Sequence, residues 1–293
     1  MNRDYLLRAA DAGKNVRIFL AHTTGAVEEM RRRHNTSATA SAATGRLLTA
    51  AFLMGADLKG KEDSLTLKIA GDGPVGSIIA TADAEGGARA YPLNPEADVP
   101  PRYPGKLDVG TLIGNGYLEV IKDLGLKQPF VGRVELVSGE IAEDLAYYFM
   151  KSEQIPSLVS LGVLVDRDLR IRRAGGLLLQ AMPEADDKIL AKIEGNVMQM
   201  GPISGVMENK ESLEDILAEI MGDIKYEILE RRDLTFRCKC SRERLKSILA
   251  GFAEEEIRDI YEKEGKLELR CNFCNEVYVY DLDEIYAEKS RKP

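Results

Sequence analysis

The sequence predicts an α+β fold in three parts. An N-terminal domain with a largely antiparallel sheet and helices occupies residues 1–183, an acidic, methionine-rich helical linker residues 184–230, and a small four-cysteine zinc domain residues 231–293. Three observations carry this. Through residues 1–183, short runs of alternating apolar and polar residues recur between turn residues, with a few helical stretches set apart. That is a pattern of hairpins and not of strand–helix–strand repeats. The net charge of −8 is concentrated in residues 184–230, which hold 4 basic and 12 acidic side chains, while each flank is balanced. All four cysteines lie in the last part, as Cys238-Lys-Cys240 and Cys271-Asn-Phe-Cys274.

Apolar content of 44% and charged content of 30% are those of a globular protein with a sizeable core. No apolar run reaches membrane-spanning length, so no membrane partner is expected. The acidic balance and the neutral charge of residues 231–293 argue against nucleic acid. Residues 1–13 contain no apolar signal core, so a cytoplasmic location and reduced thiols are expected.

In chain order, Val16, Ile18 and Leu20 alternate with Arg17 and Phe19 and predict a strand over 15–23. Residues 26–33 read as a helix ending in three arginines. Thr36 or Ser37 can cap a long, alanine-rich helix to about residue 56. Leu65, Leu67 and Ile69 mark the next strand. Gly71-Asp72-Gly73-Pro74-Val75-Gly76 then spells G-x-G-x-x-G, but residues 77–82 and 89–93 read as strands. A dinucleotide site needs a helix there to hold the pyrophosphate, so a glycine turn between strands is the preferred reading.

Five prolines make residues 92–105 a surface loop. Residues 109–113 and 117–121 read as a hairpin around Asn115-Gly116, and residues 130–137 as a further strand. Ile141, Leu145, Tyr148 and Phe149 are spaced as on a helix, and residues 158–180 as two strands around Asp166-Arg167-Asp168. With two histidines, no cysteine nucleophile, no phosphate loop and no G-x-S-x-G, this domain assembles no catalytic constellation, and no enzyme activity is expected.

In the linker, Ile189, Leu190, Ile193 and Val197 form one apolar helix face, and Leu213, Ile216, Leu217, Ile220 and Met221 another. Met182, Met198, Met200, Met207 and Met221, in this region and its entry, can form adaptable apolar surface, but a connecting helical pair packed on the core is the preferred reading, because apolar helix faces are usually buried. The last part reads as a strand over 234–237, helices over 242–250 and 254–263, a strand over 266–270 and another over 276–280. A final helix is marked by Ile285 and Tyr286.

Cys238, Cys240, Cys271 and Cys274 in two close pairs are the ligand set of a tetrahedral zinc site, although thirty residues separate the pairs, unlike a standard zinc ribbon. Arg237, Lys239, Arg242, Arg244 and Arg270 flank the ligands and can offset the charge of four thiolates. The site then has two readings. It is a closed structural zinc, or its thiolates are open to oxidants. A domain of about sixty residues with few large apolar side chains is marginal alone. Bound zinc can contribute on the order of 10–16 kcal/mol of folding free energy. Oxidation would then unfold the domain and uncover any amphipathic helix resting against it, with segment 184–230 next in line.

The same residues carry a resemblance. The chain resembles the heat shock protein 33 family over essentially its full length. It does so at Gly71-Asp72-Gly73-Pro74 and Ile113-Gly114-Asn115-Gly116-Tyr117. It does so again in the run from Ser138 to Ala146, in Ser152-Glu153-Gln154-Ile155-Pro156-Ser157, at Ala174-Gly175-Gly176 with Gln180 and Pro183, and in both cysteine pairs. The resemblance implies a redox-regulated, ATP-independent holdase, inactive when reduced and zinc-bound. It implies that oxidation forms disulfides corresponding to Cys238–Cys240 and Cys271–Cys274. It also implies an active homodimer that holds unfolded or aggregation-prone client proteins through the N-terminal domain. The competing reading is a constitutive zinc-binding interaction module.

Overall fold

One helix, α2 (Ala38–Gly55), is buried along nearly its whole length in the computed structural model, which describes residues 3–290. Its composition explains how. Ser37 caps it by accepting from the Ala40 amide, and small residues dominate its first half. They permit close approach: a Cβ added at Gly45 would lie 2.6 Å from a Val27 methyl. The buried Thr49 hydroxyl donates to the Gly45 carbonyl at 2.8 Å and lies 2.7 Å from the Thr23 hydroxyl.

The chain divides into two units between Arg237 and Cys238. The first runs β1 (Tyr5–Asp11), β2 (Val16–His22), α1 (Thr24–His34), α2, β3 (Ser64–Gly71), β4 (Ser77–Asp83), β5 (Gly87–Pro92), α3 (Val109–Ile113), β6 (Gly116–Asp123) and β7 (Phe130–Glu135). It continues with α4 (Ala142–Tyr148), a π-helical turn (Phe149–Glu153), β8 (Ser157–Val165), β9 (Ile171–Ala181), α5 (Asp187–Met200), α6 (Ile203–Asn209), α7 (Leu213–Met221), β10 (Tyr226–Asp233) and β11 (Thr235–Phe236). Helix α2 contacts strands of both a five-stranded sheet, ordered β10-β1-β2-β9-β8, and a six-stranded sheet, ordered β11-β5-β4-β3-β6-β7. Every pairing is antiparallel except that of β11 with β5. The mixed α+β, antiparallel class expected from the sequence is the one found.

The five-stranded sheet is covered on both faces. Leu6, Phe19, Ala21, Ala174 and Leu178 join α1 and α2 in one core, while the alternate residues Tyr5, Leu7, Val16, Ile18, Leu20, Leu177 and Leu179 join a second. The second core is closed by Ile193, Ile203, Val206, Met207, Leu213, Ile216, Leu217, Ile220 and Met221. The apolar faces of the acidic segment therefore lie on this sheet, as expected of a connecting helical pair packed on the core. Tyr5 fixes the start of α7: its hydroxyl donates to Glu214 Oε2 and accepts from the Leu213 amide, both at 2.8 Å. Burial pushes the Tyr5 pKa up to about 12.

Two further expectations are corrected. Residues 109–113 form a helix, not a strand: Asp108 accepts from the Thr111 amide, Val109, Leu112 and Ile113 are buried at helical spacing, and Gly114 stops the turn at φ +74°. Residues 226–236, expected to fall partly in the linker and partly in the zinc domain, are strands of the first unit, because β10 pairs with β1 and β11 with β5. The second unit holds α8 (Arg242–Leu249), α9 (Glu254–Glu264), β12 (Leu267–Arg270), β13 (Val277–Tyr280) and α10 (Leu282–Lys289). Its apolar core is Leu249, Ala250, Ile257, Leu267, Tyr280 and Ile285.

The G-x-G-x-x-G stretch is a docking loop for the end of α3. Its amides donate to main-chain carbonyls, Gly73 to Ile113 at 2.9 Å and Val75 to Leu112 at 3.2 Å, and strand β4 follows it. A Cβ at Gly73 would lie 2.5 Å from the Leu112 carbonyl oxygen. Gly73→Ala is therefore expected to destabilise the first unit by about 1–3 kcal/mol in urea unfolding. Unchanged stability would show that the loop is not packed as described.

Candidate metal centre

The four thiols are delivered by two different kinds of chain. Cys238 and Cys240 lie on an irregular stretch that ends at Ser241, whose side chain accepts from the Arg244 amide and caps α8. Cys271 and Cys274 lie in the turn between β12 and β13. There the Cys271 amide donates to the Glu276 carbonyl at 2.9 Å, the Asn275 amide donates to the Cys271 carbonyl at 2.8 Å, and Asn275 takes a left-handed φ of +58°. Asparagine tolerates that conformation better than most side chains.

The four Sγ atoms lie within 4.8 Å of one another. Two approaches cross between the pairs, Cys238 to Cys271 at 3.6 Å and Cys240 to Cys274 at 3.2 Å. All four are free thiols. Sulfurs about 2.3 Å from a central ion in a tetrahedron stand roughly 3.8 Å apart, so the cluster has the dimensions of a four-thiolate metal site. The donor set is soft and fits zinc; it would not suit a hard, oxygen-preferring cation.

Protonation in the cluster is uneven. Burial works against the Cys240 thiolate, but hydrogen bonds from Tyr278 and the neighbouring thiols outweigh it and bring its pKa down to about 7. Burial pushes Cys238 and Cys274 up, helped by the neighbouring sulfurs. The Tyr278 hydroxyl lies 3.4 Å from Cys240 Sγ, and its own pKa is pushed up by that hydrogen bond.

Sequence position misleads about the arginines. Arg242 donates to the Val279 carbonyl and to Glu284, each at 2.8 Å, and lies over the Tyr280 ring. Arg270 donates to Asn275 Oδ1 at 3.1 Å, and Arg237 pairs with Asp83. Each of these holds the fold near a ligand. Tyr278 is the sulfur's hydrogen-bond donor that the sequence reading missed. The signal available was the alternation of β13, where Tyr278 and Tyr280 point one way and the exposed Val277 and Val279 the other.

Comparison with known proteins agrees with this fold. The model of the family described as "Hsp33 protein" matches residues 4–281. The chain belongs to the Hsp33 family. It is 48% identical over 283 residues to the 33 kDa chaperonin of Desulforamulus reducens, covering 97% of this chain and 96% of that protein. It is 46% identical over 283 residues to the 33 kDa chaperonin of Bacillus subtilis, covering 96% and 97%. The crystal structure of the 33 kDa chaperonin (heat shock protein 33 homolog) from Thermotoga maritima superposes with a TM-score of 0.91 at 38% identity, covering 99% of each chain. Among the described residues of this Hsp33-family chain, no helix is long and apolar enough to cross a membrane.

The Tyr278 contact is testable in the reduced, metal-loaded protein, where the domain is folded. Tyr278→Phe removes a hydrogen-bond partner of Cys240 and should weaken zinc binding roughly tenfold in competition with a chromogenic chelator. An unchanged affinity would show that Tyr278 does not support the site.

Proposed function

We propose that this Hsp33-family chain is a redox-regulated, ATP-independent holdase, and not an enzyme, acting in the cytoplasm on unfolded or aggregation-prone proteins. Cys238, Cys240, Cys271 and Cys274 hold zinc in the reduced form. The metal supplies one thing, a link that ties the two thiol pairs of the small domain together. The observation that carries the reading is the pairing of a four-thiol cluster with a small core, whose buried residues among those described are Leu249, Ala250, Ile257, Leu267, Tyr280 and Ile285, with Leu245, Tyr261, Leu269, Tyr278 and Leu282 partly buried against them. A domain of this size with so little apolar burial depends on a staple.

The redox step balances simply. Two thiols and one hydrogen peroxide give one disulfide and two waters, the sulfurs losing two electrons that reduce the peroxide oxygens. Done twice, it forms Cys238–Cys240 and Cys271–Cys274. Sulfur in a disulfide is a poor ligand, so the staple is lost and the small domain unfolds. Reductant and zinc reverse the change.

What such unfolding offers to a client is the apolar sheet of the first unit and the helices on it. Leu7, Ile18, Leu20, Leu177 and Leu179 face α6 and α7 across a dry core. Helix α5 is a weak part of that cover: Ile193 is its one fully buried residue and Met198 is 81% exposed. Displacing the cover yields aliphatic surface and flexible methionines, which adapt to partners of many shapes. The active form is a homodimer.

The test is to treat the purified protein with peroxide at elevated temperature. We expect zinc release to a chromogenic chelator, loss of all four thiols, and suppressed aggregation of a chemically unfolded client. Zinc release without suppression would remove the holdase reading. Zinc retention would leave a constitutive, structural zinc module in its place.

A further inference from the structure

The segment leading into the first cysteine is held unusually firmly for an exit strand. Residues 226–233 extend the five-stranded sheet as β10, and residues 235–236 extend the six-stranded sheet as β11, with Leu234 buried between them. The segment thus stitches the edges of both sheets. Its anchor is the turn between β4 and β5. The Thr235 amide donates to the Gly86 carbonyl at 3.0 Å, the Arg237 amide to the Ala88 carbonyl at 2.8 Å, and Arg232 Nη1 to the Ala84 carbonyl at 2.7 Å.

The strongest part of this anchor is ionic. Asp83, whose side chain is 9% exposed, accepts from the amides of Glu85 and Gly87, each at 3.0 Å. Arg237 Nη2 reaches both carboxylate oxygens, at 2.7 and 2.9 Å. The guanidinium rests on Gly87, where an added Cβ would lie 2.3 Å from Arg237 Nε. Gly86 beside it has φ +81° and would bring a Cβ within 2.3 Å of the Asp233 carbonyl oxygen. Two consecutive glycines therefore make the seat into which the exit strand fits. Burial works against the Asp83 charge, but the two amides and Arg237 hold its pKa below the usual carboxylate range.

We propose that the Asp83–Arg237 pair, seated on Gly87, is a clasp that stops unfolding of the four-cysteine domain from running back into the first unit. The clasp rests on the holdase reading above. Arg237 immediately precedes Cys238 and is the last residue of the first unit. Opening the pair strands a largely buried carboxylate, which resists peeling. Beyond the clasp the resistance falls. Strand β10 is mostly exposed, and behind it Arg231 holds Glu214 at 3.1 Å and covers the Tyr5 ring, the contacts that fix α7 on the sheet. Loss of the small domain therefore uncovers the sheet only when a second perturbation, such as heat, opens Asp83–Arg237. Both residues act by positioning the exit strand.

Hydrogen exchange read by mass spectrometry on the full-length, reduced protein tests this, with the metal removed by a chelator. Because no oxidant is used, the result is independent of whether oxidation drives the same opening. In the parent, residues 238–290 should lose protection on chelation while residues 226–237 and α7 keep it. In Asp83→Asn, which retains an acceptor for the Glu85 and Gly87 amides, and in Arg237→Ala, chelation should speed exchange in 226–237 and α7 by roughly tenfold or more. Arg237→Lys should fall between, and the metal-loaded variants should match the parent. The proposal is overturned by any of three results: variants that match the chelated parent, a parent that loses 226–237 on chelation alone, or variants already deprotected when metal-loaded.

Discussion

The bond between thiolate and metal is the constraint on which the account depends. The second unit has a helix pair, a two-stranded sheet and a final helix around one small apolar cluster. Chain entropy of a segment that long is of order one to two kcal/mol per residue, and such a cluster does not offset it. Its two cysteine pairs arrive from an irregular stretch and from a hairpin turn, linked by few contacts such as Arg242 to the Val279 carbonyl, and a shared ion would tie them directly. The same thiolate character that makes a good ligand makes a good target for oxidants. On the proposed function, stability and sensitivity would be one property of Cys238, Cys240, Cys271 and Cys274.

The first unit is built on the opposite principle. A helix with a small-residue half lies between two antiparallel sheets, and its close contacts leave little room to deform. One of those sheets is apolar on both faces, which a protein can carry only if both faces stay covered. Helices α1 and α2 cover one side as part of the core. The other side is covered by the acidic segment, held by Tyr5, Glu214 and Arg231 and by the apolar stripe of α7. A cover of short helices with a charged outer face keeps this aliphatic surface out of water.

Much of this was legible in the sequence where local chemistry decides the outcome. Cysteine spacing identified the four thiols that the fold gathers, the alternation of Leu65, Leu67 and Ile69 marked β3, and the G-x-G-x-x-G stretch proved to be a turn before a strand. The failures have a common cause, which is that spatial neighbours were inferred from chain neighbours. The faces of α5 and α7 were legible, but not that β1, β2 and β9 receive them or that α6 lies between. Arg237 and Arg242 sit beside the cysteines in sequence and bond elsewhere in space. Strand β10 went unread because Glu227, Glu230, Arg231, Arg232 and Asp233 hide any apolar alternation, as suits the outer strand of a sheet. Residues 109–113 looked like a strand by composition, and the cap at Asp108 with the stop at Gly114 made them a helix.

The central claim is that metal coordination supplies the folding free energy of the four-cysteine domain. Calorimetric titration of zinc into the reduced, metal-free protein at several temperatures tests it most directly. If binding folds the domain, its apolar core leaves water in the same step, and the heat-capacity change is clearly negative. A heat-capacity change near zero, with the metal-free tail already ordered, would contradict the account.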